Sequence, residues 1–480
     1  MKYYPTTGAK TLVHGNILVV TIVFMSIFTI LLTGLMKYLV SQHNWVKTKT
    51  EDERALQIAE AGIEYYRWRL AHFPTDITDG TGMPGPYVHV YDDPEVGPIG
   101  EFSLEIGGEK LCGQVQVVQA TSTGYTYADP SRTRTIVVRI ARPTVADYSY
   151  IVDSNVWAGS SRTIIGPYHS NGVIRMDADN HSAVTSKINT MSCSGAGLGG
   201  CSGTVNGVYG SGTHPEWWRW AQPDISFTNF DYDFGEMESV AQTDGIYLPK
   251  ISNDTSIYGY YLELQNDKTV DIYRVTSVDW KTSYTPGSQL ISFPELLGNV
   301  NSKRQFLETR SIPQACPIIY VSDRTWLEGQ VSGKVTVVAN DTGAATPDLF
   351  LQGDITYSTT TGADGLTVLA ERNLLIPLYV PDDMTISGVF FAQKGAYGRS
   401  YYECWWGCTS VNPYDSYKSR NSLTTNGTVV SKLRTGTAWS GGQGFSARYD
   451  LYARGVAESP PPLTPFTSPD FRFIEWREVK

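Results

Sequence analysis

Several things are scarce in this chain, and each scarcity narrows what it can be. Charged residues make up 18% of the 480, below the roughly 25% usual for soluble domains. The 48 acidic and 38 basic side chains leave a net charge of −10, and no long basic run occurs. The clustered Lys and Arg that a phosphate backbone requires are therefore missing, and nucleic acid is not an expected partner. Seven His are scattered, and no G-x-S-x-G, H-E-x-x-H or P-loop pattern is present. No catalytic constellation stands out, so the reading is of a non-enzyme without a cofactor. The six cysteines contain no C-x-x-C pair and no His at finger spacing, which argues against zinc and leaves no metal site expected.

What the chain does have is 45 Gly and 12% aromatics, a mixture that reads as many short strands and turns. Its length exceeds what one core organises, so two or three domains are expected. The charge-free run Ile17 to Met36 holds thirteen Ile, Leu, Val or Phe among its twenty residues. Twenty helical residues at about 1.5 Å each span a hydrocarbon core of roughly 30 Å. Those thirteen side chains favour insertion by roughly 4–8 kcal/mol as an upper bound. A buried core helix would need a polar stripe that is absent here. A cleaved secretory signal would have a shorter apolar core and an A-x-A-like site. Lys2 and Lys10 precede the run without an acidic residue, which places the short N-terminus inside the cytoplasmic membrane and exports everything after Tyr38.

Beyond Lys37 no Pro intervenes until Pro74. Leu56, Ala59, Ile63, Tyr66 and Leu70 recur at steps of three and four, which predicts that the same helix continues into water with one buried face. Lys47 with Glu51 and Lys49 with Glu53 are spaced for i,i+4 ion pairs. Three strands are predicted next, Glu101 to Ile106, Gly113 to Thr121 and Arg132 to Ile140, as an antiparallel meander against that helix. The small residues of Ala59-Glu60-Ala61-Gly62-Ile63 allow close approach either by neighbouring helices or by the chain's own sheet.

These residues resemble type IV pilin-like proteins, and among them the minor pilins of the PilX type. The match lies in a basic leader ending at Gly15, the apolar helix from Asn16, the Ala59 to Ile63 stretch, and a meander carrying Ser122-Thr123-Gly124 and Arg132-Thr133-Arg134. It covers roughly the first 143 residues. The resemblance implies cleavage between Gly15 and Asn16 by a prepilin peptidase, and packing of the helix with other pilin-like subunits in a pilus or pseudopilus. Major pilins have Phe after the cleavage Gly and a Glu four residues on, where this chain has Asn16 and Val20. An uncleaved, standalone membrane-anchored adhesin is the competing reading.

The expected division is a leader over 1–15, a transmembrane helix over 16–40, a pilin-like helix and meander over 41–143, a β-rich ectodomain over 144–457, and a Pro-rich linker with a terminal strand over 458–480. The class is α+β followed by a large all-β region. Apolar pieces recur around glycine at Trp326 to Gly329, Gly333 to Ala339, Leu349 to Ile355, Gly365 to Ala370 and Met384 to Phe391, with a similar piece over Thr163 to Ser186. They read as rungs of a right-handed parallel β-helix, with a β-sandwich as the alternative. Phe471, Phe473 and Trp476 are expected in a last strand closing this body. An even cysteine count in an exported chain favours disulfides. Cys193 with Cys201 and Cys404 with Cys408 are natural local clips, while Cys112 with Cys316 would join two domains, and all fifteen pairings remain formally open.

The best enzyme candidate is the patch His169, Asp177, Asp179 and His181, since β-helices often carry polysaccharide lyases or hydrolases; Asp177, Asp179 and Asn180 also hint at calcium. Both are weighed against a plain polar loop. Trp217, Trp218 and Trp220, and Trp405 with Trp406, offer rings on which a surface glycan or a partner protein could stack, against burial in the body. Adhesion is preferred over glycan cleavage on this evidence.

Overall fold

The computed structural model describes residues 16–479 except 228–233, 252–255, 342–346 and 404–405; Gly15 lies outside that range. A single helix, α1 (Asn16–His72), runs for 57 residues, about 85 Å at 1.5 Å per residue. Its first thirty described residues are exposed around the whole circumference. The few hydroxyls there are satisfied internally: Thr21, Ser26, Thr29 and Thr33 donate to the carbonyls four residues back at 2.7–2.8 Å. No side chain from Ile17 to Met36 needs water, which is what a hydrocarbon environment demands.

From residue 51 one face of α1 is buried. Ala55, Ile58, Ala59, Ile63, Tyr66 and Leu70 pack on a five-stranded antiparallel sheet made of β1 (Tyr87–Asp93), β2 (Gly97–Leu111), β3 (Gln114–Thr126), β4 (Asp129–Ala141) and β5 (Arg472–Val479), in that order. The contact is close enough to involve main chain. A Cβ on Gly124 would sit 2.4 Å from the Ala59 nitrogen and 2.5 Å from the Ala55 carbonyl oxygen. From the helix side, a Cβ on Gly62 would lie 2.4 Å from the Ser122 hydroxyl and 2.8 Å from Phe102. Ala59, Gly62 and Ile63 thus meet the chain's own sheet, while Glu60 faces solvent and Ala61 is half-buried. Glu51 does not make its predicted pair with Lys47. It is buried, accepts from Arg54 at 3.1 Å and from the Thr126 hydroxyl at 2.6 Å, and so pins the helix to the end of β3.

The remainder is β-rich. Ten strands form one parallel ladder in the order 246–248, 318–321, 334–339, 365–370, 383–392, 419–431, 150–152, 168–170, 184–186 and 218–219. Its register stacks Ile246, Ile319, Val337, Val368, Phe390, Val429, Tyr150, Tyr168, Val184 and Trp218 in one buried row, the spine of the body's core. A second parallel ladder joins 260–264, 325–331, 349–357, 374–376 and 397–399. The glycine-punctuated pieces named from the sequence are all strands of these ladders. Among the described residues, antiparallel pairing in the body is confined to short local sets such as 260–264 with 269–275, not the two facing antiparallel sheets of a sandwich.

The chain does not climb this stack in order. The segment 150–219 sits beyond 419–431, and helix α2 (Phe234–Asp244) leads to the strand 246–248 at the opposite end. Both connections to the five-stranded sheet therefore leave from mid-stack and lie side by side: the Val145 amide donates to Pro465 O at 2.8 Å and the Thr467 amide to Pro143 O at 2.9 Å.

Two expectations for the C-terminus change. The terminal strand exists, but β5 pairs antiparallel with β4 rather than closing the body, and Phe473 packs into the cluster under α1. The Pro-rich stretch is no solvated linker: residues 460–465 are buried, and Thr464 shares a 2.6 Å hydrogen bond with Thr367. Four Pro, a Leu and one Thr with a satisfied hydroxyl can be buried as readily as an aliphatic strand edge. Sheet and body are also joined covalently by Cys112–Cys316, 204 residues apart. Cys193–Cys201 closes a local loop. The Cys404–Cys408 pairing falls on a residue outside the described set.

Two outcomes follow. Gly124→Ala should cost about 1–3 kcal/mol or more, because the atoms it meets are main chain and cannot rotate away; Gly107→Ala, whose Cβ would meet only Gln119 O at 3.9 Å, should be close to neutral by the same chemical unfolding assay. Replacing Cys112 and Cys316 together by Ser should lower stability by about 2–5 kcal/mol, measured by denaturant unfolding under non-reducing conditions.

Candidate binding site

The residues singled out from sequence are largely dispersed or already committed to partners. His169 is buried and bonded through both ring nitrogens, to Thr185 at 2.9 Å and Asn171 at 3.0 Å. Burial lowers its pKa. Asp177 accepts from Arg175, from the Trp157 indole and from Ser211 at 2.7–3.0 Å. Asp179 accepts from His181 and Thr213, both at 3.0 Å. These carboxylates hold their own loops together and do not converge on a shared point. Among the described residues no group of three His, Cys, Asp or Glu is placed to hold a metal ion. Of the tryptophans, Trp218 is buried in the core row, while Trp217 and Trp220 are 38% and 37% exposed and Trp406 is 85% exposed. Trp405 lies outside the described residues. The His214 ring stacks on Trp217 at 4.2 Å.

A site that sequence reading missed opens on the outer face of the second ladder. In strands 260–264 and 325–331, side-chain alternation sends Leu262, Leu264 and Leu327 into the core. It sends Tyr261 and Glu263, with Trp326 and Glu328, to the opposite face in matching register, where Tyr261 and Trp326 are buried in a second cluster with Phe293 and Phe350. The next strand has an irregularity after the level of Leu327, at Gln352-Gly353-Asp354, which breaks the row. A Cβ on Gly353 would fall 2.2 Å from Glu328 Oε2, so glycine is needed for Glu328 to keep its place. Tyr261, Glu263, Glu328 and Asp354, together with Arg304, Tyr379, Tyr417 and Arg420, line a cleft of about 660 Å³.

Charges in this cleft are matched locally. Arg304 reaches Glu263 at 3.1 Å and Glu328 at 3.7 Å while its guanidinium lies 4.2 Å from the centres of both Tyr261 and Tyr273. Arg420 faces Asp382 at 3.6 Å and covers Tyr417 at 4.3 Å, and Tyr417 stacks on Tyr379 at 4.5 Å. Two guanidiniums against Glu263, Glu328, Asp354 and Asp382 leave the wall acidic. Burial, joined by repulsion from Glu263 and Asp354, pushes the Glu328 carboxyl above its usual range even though the Tyr261 hydroxyl and Arg304 pull it down. Such a wall offers hydrogen-bond acceptors, donors and flat rings, with no uncompensated cation.

A raised Glu328 pKa has a defined consequence. Its ionised form is disfavoured in the fold, so the stability it contributes is full near the unfolded value of about 4.3 and is lost as pH rises through the folded value. Glu328→Gln should therefore raise the melting temperature more at pH 8 than at pH 4 and flatten the decline between them, as read by thermal unfolding at both pH values.

No family model matches the chain, and no curated protein matches it. Among solved structures it is similar to the crystal structure of the competence-associated pilin ComZ from Thermus thermophilus, at 12% identity, over 89% of this chain and 98% of that one, with a TM-score of 0.33; an overlay that loose carries no argument.

Proposed function

We propose that this protein is a minor-pilin-like subunit, held in the cytoplasmic membrane by α1 with its N-terminus inside, and incorporated at low copy in a type IV pilus or pseudopilus. The observation that carries the reading is the continuity of α1. One helix is uncovered and apolar over its first half and becomes the buried spine of an antiparallel sheet over its second. Among the described residues nothing covers the exposed half, so lipid before assembly, and the same helix of other pilin-like subunits after it, supply the cover that its apolar surface requires. Prepilin peptidase is the enzyme expected to expose Asn16.

The body, whose ladders we read as coils of a parallel β-helix, is too bulky to sit on every subunit of a closely packed shaft. Its role is display and adhesion. The cleft around Tyr379 and Tyr417 suits a neutral, hydroxyl-rich ligand such as a surface glycan, since sugar hydroxyls both donate to the carboxylates and accept from the phenols and guanidiniums while ring faces stack on tyrosine. Turnover is not part of this reading, because the acid and base candidates named from sequence hold loops.

Shearing filaments from the producing cells tests the assignment. The protein should appear in the filament fraction, far below the shaft subunit in amount. Confinement to the inner membrane, with none in the sheared material, would leave only a surface anchor.

A further inference from the structure

A second, more enclosed cavity of about 220 Å³ lies between the strand 444–451, the strand 162–165 and the loop 434–440. Strand register puts Arg448 directly beside Arg162 on neighbouring parallel strands, whose spacing is about 4.8 Å. Both side chains are buried. Asp450 lies on the same strand face as Arg448, two residues on, and is in contact with Arg162 through the latter's Nε. One carboxylate thus serves two neighbouring buried arginines, in direct contact with Arg162 alone. Arg448 is 9% exposed, donates to the Ser161 hydroxyl at 2.5 Å, and keeps a buried Nε without a hydrogen-bond partner. Arg434 lines the same cavity, and among the described residues no carboxylate pairs with it. Burial, reinforced by Arg162, brings the Arg448 pKa down to about 10, and burial lowers that of Arg434. Removing one partner of a buried pair, or burying a charge with none, costs several kcal/mol, so a cavity with three guanidiniums and one carboxylate lacks negative charge.

We propose that this cavity is an oxyanion-binding site in which Arg434 and Arg448 hold a carboxylate, sulfate or phosphate group beside the Arg162–Asp450 pair. Planar guanidiniums suit all three, since their parallel N–H donors match two oxygens of one anion. Trp157 and Trp439 in the lining offer ring surface to whatever carries the anion. Two sources share this chemistry: a free inorganic oxyanion that completes the fold, and the acidic group of a charged sugar. The site is separate from the acidic cleft and does not depend on the adhesive reading.

Isothermal titration of the full chain in detergent micelles with inorganic phosphate, inorganic sulfate and glucuronate tests it. Saturable binding of one equivalent is expected for at least one of the three, weakened tenfold or more by Arg434→Gln. That variant alters a half-buried loop side chain and leaves Arg162, Arg448 and Asp450 in place. Equal affinity for phosphate and glucuronate supports the free ion; preference for glucuronate that Trp439→Ala removes supports the acidic sugar. No saturable binding of any probe, or binding unchanged by Arg434→Gln in a protein of native near-UV circular dichroism, would overturn the site.

Discussion

The architecture depends on how closely one helix lies on one sheet. At Gly124 the β3 backbone comes within a Cβ's reach of the Ala55 and Ala59 main chain, and at Gly62 the helix admits Ser122 and Phe102 in the same way. Dispersion falls off steeply with separation, so a contact this close holds only while no side chain intervenes. It fixes the lower half of α1 and leaves the upper half as an apolar rod that nothing among the described residues covers. The rod and the sheet-bound half are thereby mechanically one element. Whatever force or packing acts on the rod reaches the sheet without a flexible joint.

From that sheet the body hangs by paired connections. The chain leaves after β4 and returns into β5, the neighbour of β4, so the body is inserted between two adjacent strands. Entry and exit are hydrogen-bonded to each other near Val145 and Pro465. The Cys112–Cys316 bond ties the β2–β3 turn to the body at another point. Because entry and exit sit mid-stack, the body grows both ways from its attachment. The acidic cleft lies in the half built from residues 260–420, whereas the arginine cavity lies at the junction where 444–451 meets 162–165.

How much of this was legible in the sequence follows from which interactions are local. The rod could be read from an uninterrupted apolar run, and the buried face of its lower half from steps of three and four. Three of the meander strands were found, although β3 breaks the alternation where Gln116, Val117 and Val118 are all buried. The first, Tyr87–Asp93, was missed because its pattern is inverted: Val88 and Val90 face solvent, while Tyr87 is buried and Tyr91 packs against the helix cluster. The strand carrying Phe473 was found, but its partner was not, since nothing near residue 473 specifies β4 more than 300 positions earlier. Both binding sites were illegible for the same reason. Glu263 meets Glu328, and Arg162 meets Arg448, only through the register of strands far apart in the chain. Of the neighbours Trp217 and Trp218, conspicuous in sequence, Trp218 enters the core and Trp217 stays at the surface, because alternation sends neighbouring residues to opposite faces.

The central claim is that α1 is the anchor of a processed, pilin-like subunit, and the mature N-terminus tests it most directly. N-terminal sequencing with intact-mass measurement of the chain extracted from membranes and filaments of its own host should give Asn16 as the first residue. A chain that retains Met1 in both fractions would contradict the account.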